Sequence, residues 1–154
     1  MGAGLVPSGH SFVKSSTTVE FLDSNILIYA ASGLAADAAR SAVARSLVAG
    51  SNLAISLQVL QEFYNVARKP KKLAFSHAEA LRYLDRWRRF TVLEPTLALF
   101  DSALVLCDRF QITYYDAGIL AAARMLHCSV VYSEDLNDGQ DYDGVRVVNP
   151  FRHL

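Results

Sequence analysis

Cysteine is scarce in this 154-residue chain, and so are the other marks of a secreted, membrane-bound or zinc-held protein. Cys107 and Cys128 make neither a disulfide framework nor a CxxC pair, and are expected to be two reduced thiols in apolar surroundings. His10, His77, His127 and His153 stand apart from one another, which excludes a His/Cys metal motif. No apolar run approaches the roughly 18 residues of a membrane span, and the N-terminus lacks the basic-then-apolar pattern of a signal peptide. A soluble, cytoplasmic domain with no membrane partner is expected. Neither sign of charge is in excess: 15 basic and 15 acidic residues give a net charge of zero. Nucleic-acid binding therefore cannot rest on an overall cationic field and must come from local asymmetry. No glycine-rich phosphate loop is present, which excludes nucleotide kinases.

What is present is a core. Hydrophobic residues make up 52% of the chain and charged ones 19%, enough apolar surface to offset the entropy of ordering in one domain. Residues 1–18, rich in Gly, Ser and Thr, are expected to form a flexible extension, and residues 19–154 the folded domain. The first strand is expected at Val19 to Asp23, with Ser24 and Asn25 supplying caps for the helix that follows. Helical spacing runs from Asp37 to Ala49 and stops at Gly50. A buried strand at Leu53 to Ser56 leads straight into a helix over Leu57 to Arg68, ended by Pro70. Ser76 with Glu79 reads as a capping box opening a helix that ends near Phe90. A strand at Thr91 to Leu93, a helix from Thr96 to Phe110, a helix from Asp116 to His127 and a strand at Ser129 to Ser133 follow. A loop over Glu134 to Gly144 precedes a last strand, Val145 to Val148. Strands alternating with helices predict an α/β fold with a mostly parallel sheet covered on both faces.

Four acids fall where such a fold gathers functional groups. Asp23 closes the first strand, Asp135 follows the fourth, Asp116 opens a helix, and Glu62 lies inside the helix after the second strand. In parallel α/β sheets the carboxyl ends of the strands and the starts of the following helices share the edge where ligands bind. Each acid also has a structural use. Asp23 fits a helix N-cap and Asp116 a capping box with Thr113; Glu62 fits a solvated face, and Asp135 a polar turn with Asp138, Asp141 and Asp143. Taken jointly they point to a site. Carboxylates about 5 Å apart repel by around 3 kcal/mol per pair at an effective dielectric of 20, so the cluster must take up protons or a cation. All-oxygen ligands favour Mg²⁺ or Mn²⁺ over zinc, and such a set suits a metal-dependent phosphodiesterase.

Four segments, in order, carry a family likeness. They are Phe21-Leu22-Asp23-Ser24-Asn25-Ile26-Leu27-Ile28-Tyr29, Gln61-Glu62-Phe63-Tyr64-Asn65, Tyr114-Tyr115-Asp116-Ala117-Gly118-Ile119-Leu120-Ala121-Ala122-Ala123 and Ser133-Glu134-Asp135-Leu136, the last followed by Gly139-Gln140, Gly144-Val145 and Asn149-Pro150-Phe151. Over residues 19–151 the chain resembles the PIN domain and, within it, the VapC-type toxins of type II toxin–antitoxin pairs. The resemblance implies a three-layer α/β/α sandwich around a parallel sheet of four or five strands, and a Mg²⁺- or Mn²⁺-dependent endoribonuclease. It makes Asp23, Glu62, Asp116 and Asp135 the catalytic and metal-binding acids, with Asn25 and Ser133 orienting them or a water. Ser24 and Ser133 stand where family members often carry Thr, and both keep the hydroxyl. A VapB-type antitoxin that seats a segment beside the acids, and a homodimer, are the partners it implies.

The RNA substrate needs a cationic surface, and one stretch supplies it. Tyr64 to Phe90 holds eight basic residues (Arg68, Lys69, Lys71, Lys72, Arg82, Arg86, Arg88, Arg89) against Glu79 and Asp85, a local balance of 8 − 2 = +6. Arg68, Lys69, Lys71, Lys72, Arg86, Arg88 and Arg89 are expected to contact RNA, where displaced counterions supply much of the affinity. Tyr83 and Trp87 offer rings for unpaired bases, and an apolar groove near Leu57, Leu60 and Tyr64 is expected to receive the antitoxin. A haloacid-dehalogenase-like phosphatase fits less well. Asp23 is followed by Asn25 and Leu27 rather than by Asp and Thr, and Lys14, Lys69, Lys71 and Lys72 leave no lysine late in the chain. The alternative of another class is a catalytically silent PIN scaffold acting as a regulatory binding partner; such a scaffold tends to lose acids, and this chain keeps all four.

Overall fold

The computed structural model describes residues 18–154; the extension expected over 1–18 lies outside them except for Thr18. The elements run β1 (Glu20–Leu22), α1 (Ser24–Ala31), a single 3₁₀ turn (Ala35–Asp37), α2 (Ala38–Val48), β2 (Leu53–Ser56), α3 (Leu57–Ala67), α4 (His77–Trp87) and β3 (Thr91–Leu93). Then come α5 (Leu97–Phe110), α6 (Tyr114–Met125), β4 (Val130–Tyr132), β5 (Asp141–Tyr142) and β6 (Val145–Val148).

The helix starts are set by side chains. Asp23, Ser56, Ser76, Thr96 and Thr113 each accept a backbone N–H in the first turn of α1, α3, α4, α5 and α6. At α4 the capping box is complete, with Glu79 returning the bond to the Ser76 backbone. Thr113 also explains why α6 begins at Tyr114 and not at Asp116 as expected: the cap lies one residue before Tyr114, so Asp116 falls in the first turn.

The sheet order is β3-β2-β1-β4-β6-β5, and β1, β2, β3, β4 and β6 are parallel. The sixth strand is an addition to the four or five expected. Asp141 and Tyr142 pair antiparallel with Arg146 and Val145 inside the stretch expected to be loop. Asp143 and Gly144 turn the hairpin with positive φ at both residues (57° and 96°), the backbone a two-residue turn of this hand requires. Tyr142 is buried and meets Phe110 edge-on, with ring centroids 5.0 Å apart.

The chain moves outward from β1 to β2 to β3, then crosses back to lay β4 on the other side of β1. With right-handed crossovers, that reversal puts α5 and α6 on the face opposite α1–α4, giving three layers. Helix α6 lies close to the sheet because its inner residues are small: Ala117, Gly118, Ala121, Ala122 and Ala123 are all buried. On the other face Phe63, Tyr83, Trp87 and Phe90 lock α4 onto α3 through ring contacts of about 6 Å. Phe21, Leu22, Ile26, Leu27, Ile55 and Phe63 form the fully buried centre; truncating Phe21 or Phe63 to Ala is expected to cost about 3–5 kcal/mol.

Candidate active site at the strand ends

Strand order reverses between β1 and β4, and open α/β sheets place ligands in the crevice at such a point. The end of β1 delivers Asp23 there, and the end of β4 delivers Ser133 and then Asp135. The two strand ends are tied across the crevice, since the Asp23 backbone N–H donates to the Tyr132 carbonyl at 3.0 Å.

Asp23 is the buried acid of the set. One of its oxygens accepts the Ser24 N–H at 2.7 Å, capping α1, and the other accepts the Ser133 hydroxyl at 2.7 Å. Burial pushes its pKa up to about 7; the Ser133 and Ser24 hydrogen bonds pull it back, and the negative charges of Glu62 and Asp135 add to the rise. Asn25 spans the crevice, its Nδ2 donating to Asp135 Oδ2 at 3.1 Å and lying 3.4 Å from Ser133 Oγ. The Asp135 backbone N–H also donates to Ser133 Oγ, at 3.1 Å. Glu62 arrives from α3: its Oε2 accepts the Ser24 hydroxyl at 2.8 Å and its Oε1 accepts Gln58 Nε2 at 2.8 Å.

Asp23, Glu62 and Asp135 thus share one network of neutral donors, and Asn25 and Ser133 lie inside it. Asp116 stands beside the network without a bond into it. Thr113 takes its backbone N–H at 3.2 Å, but its carboxylate does not return the bond that would complete a capping box. Its link is its neighbour: the Tyr115 carbonyl accepts from Gln58 Nε2 at 3.1 Å. The expected gathering of all four acids is looser than a metal cage. Among the described residues, no group of three or more His, Cys, Asp or Glu side chains is close enough to hold an ion. Like charges repel, and these carboxylates turn to hydroxyl and amide donors in place of each other.

The donor set nonetheless fits a hard divalent cation. The three linked acids form no ion pair with Lys or Arg among the described residues, burial raises the Asp23 pKa with no cation beside it to offset the rise, and Asn25 Oδ1 is buried without a donor. An open arrangement suits Mg²⁺ best, because that ion keeps several waters and takes only one or two carboxylates directly.

The basic stretch does not form one surface. Lys71 and Lys72 line a cleft of about 370 Å³ together with Ser24, Asn25, Tyr29 and Asp135. Arg88 and Arg89 lead into the start of β3, the sheet edge opposite the acids. Arg86 and Arg89 line a separate groove between α1, α2 and α4, and Arg88 another with Leu57, Leu60 and Glu94. Arg68 lies on Tyr64, donating to its hydroxyl at 2.8 Å. A linear run of charge carries no record of which way its helix points, hence the division. The Leu57–Leu60 groove likewise excludes Tyr64, which faces Arg68 and His77. Trp87 is packed in the core and so is no platform for bases. Gln58 escaped the sequence reasoning; its one signal is the four-residue spacing to Glu62 that puts both on one helix face.

The PIN-domain family profile matches residues 21–139, and the chain belongs to that family. No curated protein sequence matches it. Among solved structures, a toxin–antitoxin complex from Klebsiella pneumoniae is similar at 22% identity and a TM-score of 0.66, covering 86% of this chain and 98% of that one. The Mycobacterium tuberculosis VapC20 toxin, described as cleaving the sarcin–ricin loop, is similar at 22% identity and a TM-score of 0.58, covering 75% and 89%. VapBC2 from Rickettsia felis, bound to a DNA fragment of its promoter, is similar at 17% identity and a TM-score of 0.58, covering 84% and 97%. At these identities the likeness is one of fold. Among the described residues, no helix is long and apolar enough to cross a membrane.

Proposed function

We propose that this PIN domain is a divalent-cation-dependent endoribonuclease, the toxin of a type II toxin–antitoxin pair. The observation that carries the reading is the switch-point crevice, where acids from β1, α3 and the β4 end share neutral donors beside a cleft edged by Lys71 and Lys72. Similar folds in a toxin–antitoxin complex and in a toxin described as cleaving the sarcin–ricin loop support it.

Asp23, Asp116 and Asp135 would hold Mg²⁺ or Mn²⁺, with Glu62 as a further ligand or as the group that orients the attacking water. The bound ion would polarise the phosphate and lower the pKa of a water. Ser133 and Asn25 fix Asp23 and Asp135, so little reorganisation is left for the moment of reaction. Water adds to phosphorus as the bond to the leaving oxygen breaks, producing one phosphate and one hydroxyl terminus. The 2′-hydroxyl is not consumed, so a preference for RNA rests on how the strand fits the cleft. Lys71 and Lys72, on the edge of the cleft, would take the phosphates next to the cut.

A VapB-type antitoxin is the proposed partner, and residence in the cytoplasm goes with it. Arg86 and Arg89 lie too far around the sheet to serve the cleft; their groove, with Tyr83 and Phe90 and no acid in its lining, suits a partner segment. A homodimer has a surface available in Leu97, Phe100 and Leu104, exposed on one face of α5. Mapping RNA 5′ ends after brief induction tests the activity. The parent is expected to create new ends at defined sites and Asp116→Asn none; ends identical in both would leave the silent scaffold as the better reading.

A further inference from the structure

Gly118 sits inside α6, where glycine is disfavoured relative to alanine. The space it leaves is filled from the facing helix: a Cβ added at Gly118 would lie 2.6 Å from Gln58 Oε1. From that seat, Gln58 Nε2 donates both to Glu62 Oε1 at 2.8 Å and to the Tyr115 carbonyl at 3.1 Å. One carboxamide therefore spans α3, which carries Glu62, and the first turn of α6, which carries Asp116. The link reaches Asp116 through the backbone of its neighbour Tyr115 and not through its own carboxylate. Ser24 holds the second oxygen of Glu62, so the carboxylate is fixed from both sides.

We propose that Gln58 is a positioning residue that sets the spacing of Glu62 and Asp116 for a divalent cation, and that Gly118 is the gap that admits it. The inference rests on the nuclease reading above. Outer hydrogen-bond partners of metal ligands govern affinity by about 10–100-fold, and Gln58 occupies that place for Glu62.

The test is calorimetric titration of the full, metal-free chain with Mn²⁺, alongside thermal melting in EDTA. Gln58→Ala is expected to weaken Mn²⁺ binding about 10–100-fold with little change in the melting temperature. Gly118→Ala favours the helix intrinsically, so it is expected to weaken Mn²⁺ binding only by pushing Gln58 aside. In the Gln58→Ala background the same change is then harmless, because nothing remains to displace. Should Gln58→Ala fail to fold, Gly118→Ala alone decides: Mn²⁺ affinity equal to the parent's overturns the proposal. Parent-like affinity in Gln58→Ala overturns it equally and leaves the nuclease reading intact. A parent that binds no Mn²⁺ removes both.

Discussion

Asp135 and Asp138 lie three residues apart on one loop and are used in opposite ways. Asp138 accepts the Asn149 backbone N–H at 2.7 Å and pairs with Arg152, and these partners hold its carboxyl below the usual range. Asp141 accepts the Gly144 N–H at 2.7 Å, and Asp143 pairs with Arg109 at 2.8 Å. These three close the β5–β6 hairpin and pin the C-terminal segment. Among the described residues Asp135 has no cation for a partner and accepts from Asn25; Asp23 and Glu62 are likewise held by hydroxyl and amide donors. The loop acids are held by backbone N–H groups and arginines, whereas Asp23, Glu62 and Asp135 meet only neutral donors among the described residues. Residue type does not separate Asp135 from Asp138; their partners do.

The comparison breaks most sharply at Asp23. Asp23→Asn should bring RNA cleavage to background and still yield a metal-free protein that melts higher than the parent above pH 7, because Asn keeps the cap without the buried charge. The next effect is on pH. Asp23 is raised from 3.8 to about 7 by folding, so its contribution to stability is fully present below pH 3.8 and is lost as pH rises through about 7. Melting in EDTA should therefore fall across that window in the parent and be flatter in Asp23→Asn, and Mn²⁺ should reverse the parent's fall. At the cleft, Lys71→Ala and Lys72→Ala should each lower the salt slope of RNA binding by about 0.7–0.9, measured with uncleaved RNA in EDTA. Arg86→Ala and Arg89→Ala should leave that slope unchanged. Smallest is the structural group: Asp138→Asn should lower the melting temperature slightly and leave cleavage as it was, checked by melting and a gel assay on one preparation.

Much of this was legible in the residues, for physical reasons that can be named. Ser76 with Glu79, and Gly50, marked helix ends because capping is local chemistry. The parallel order followed from alternating elements, and the acid-bearing edge from the rule for such sheets. The β5–β6 hairpin was missed although Asp143-Gly144 is a strong two-residue turn signal; a two-residue strand has too little pattern to stand out in an Asp-rich loop. The closeness of Asp23, Glu62 and Asp135 could be inferred, but not that the helix turn carrying Asp116 is joined to them through Gln58 and the Tyr115 carbonyl. That link depends on the absence of a side chain at Gly118, which a linear pattern shows only as one more small residue in an Ala-rich helix.

If the rim acids hold a divalent cation for cutting RNA, cleavage must depend on both the ion and the acids. Incubating the purified protein with a mixed RNA pool in Mg²⁺ or Mn²⁺, beside EDTA and Asp116→Asn controls, tests it most directly. Discrete fragments are expected with the ion and none in either control. Equal fragmentation in EDTA, or by Asp116→Asn with the ion present, would contradict it.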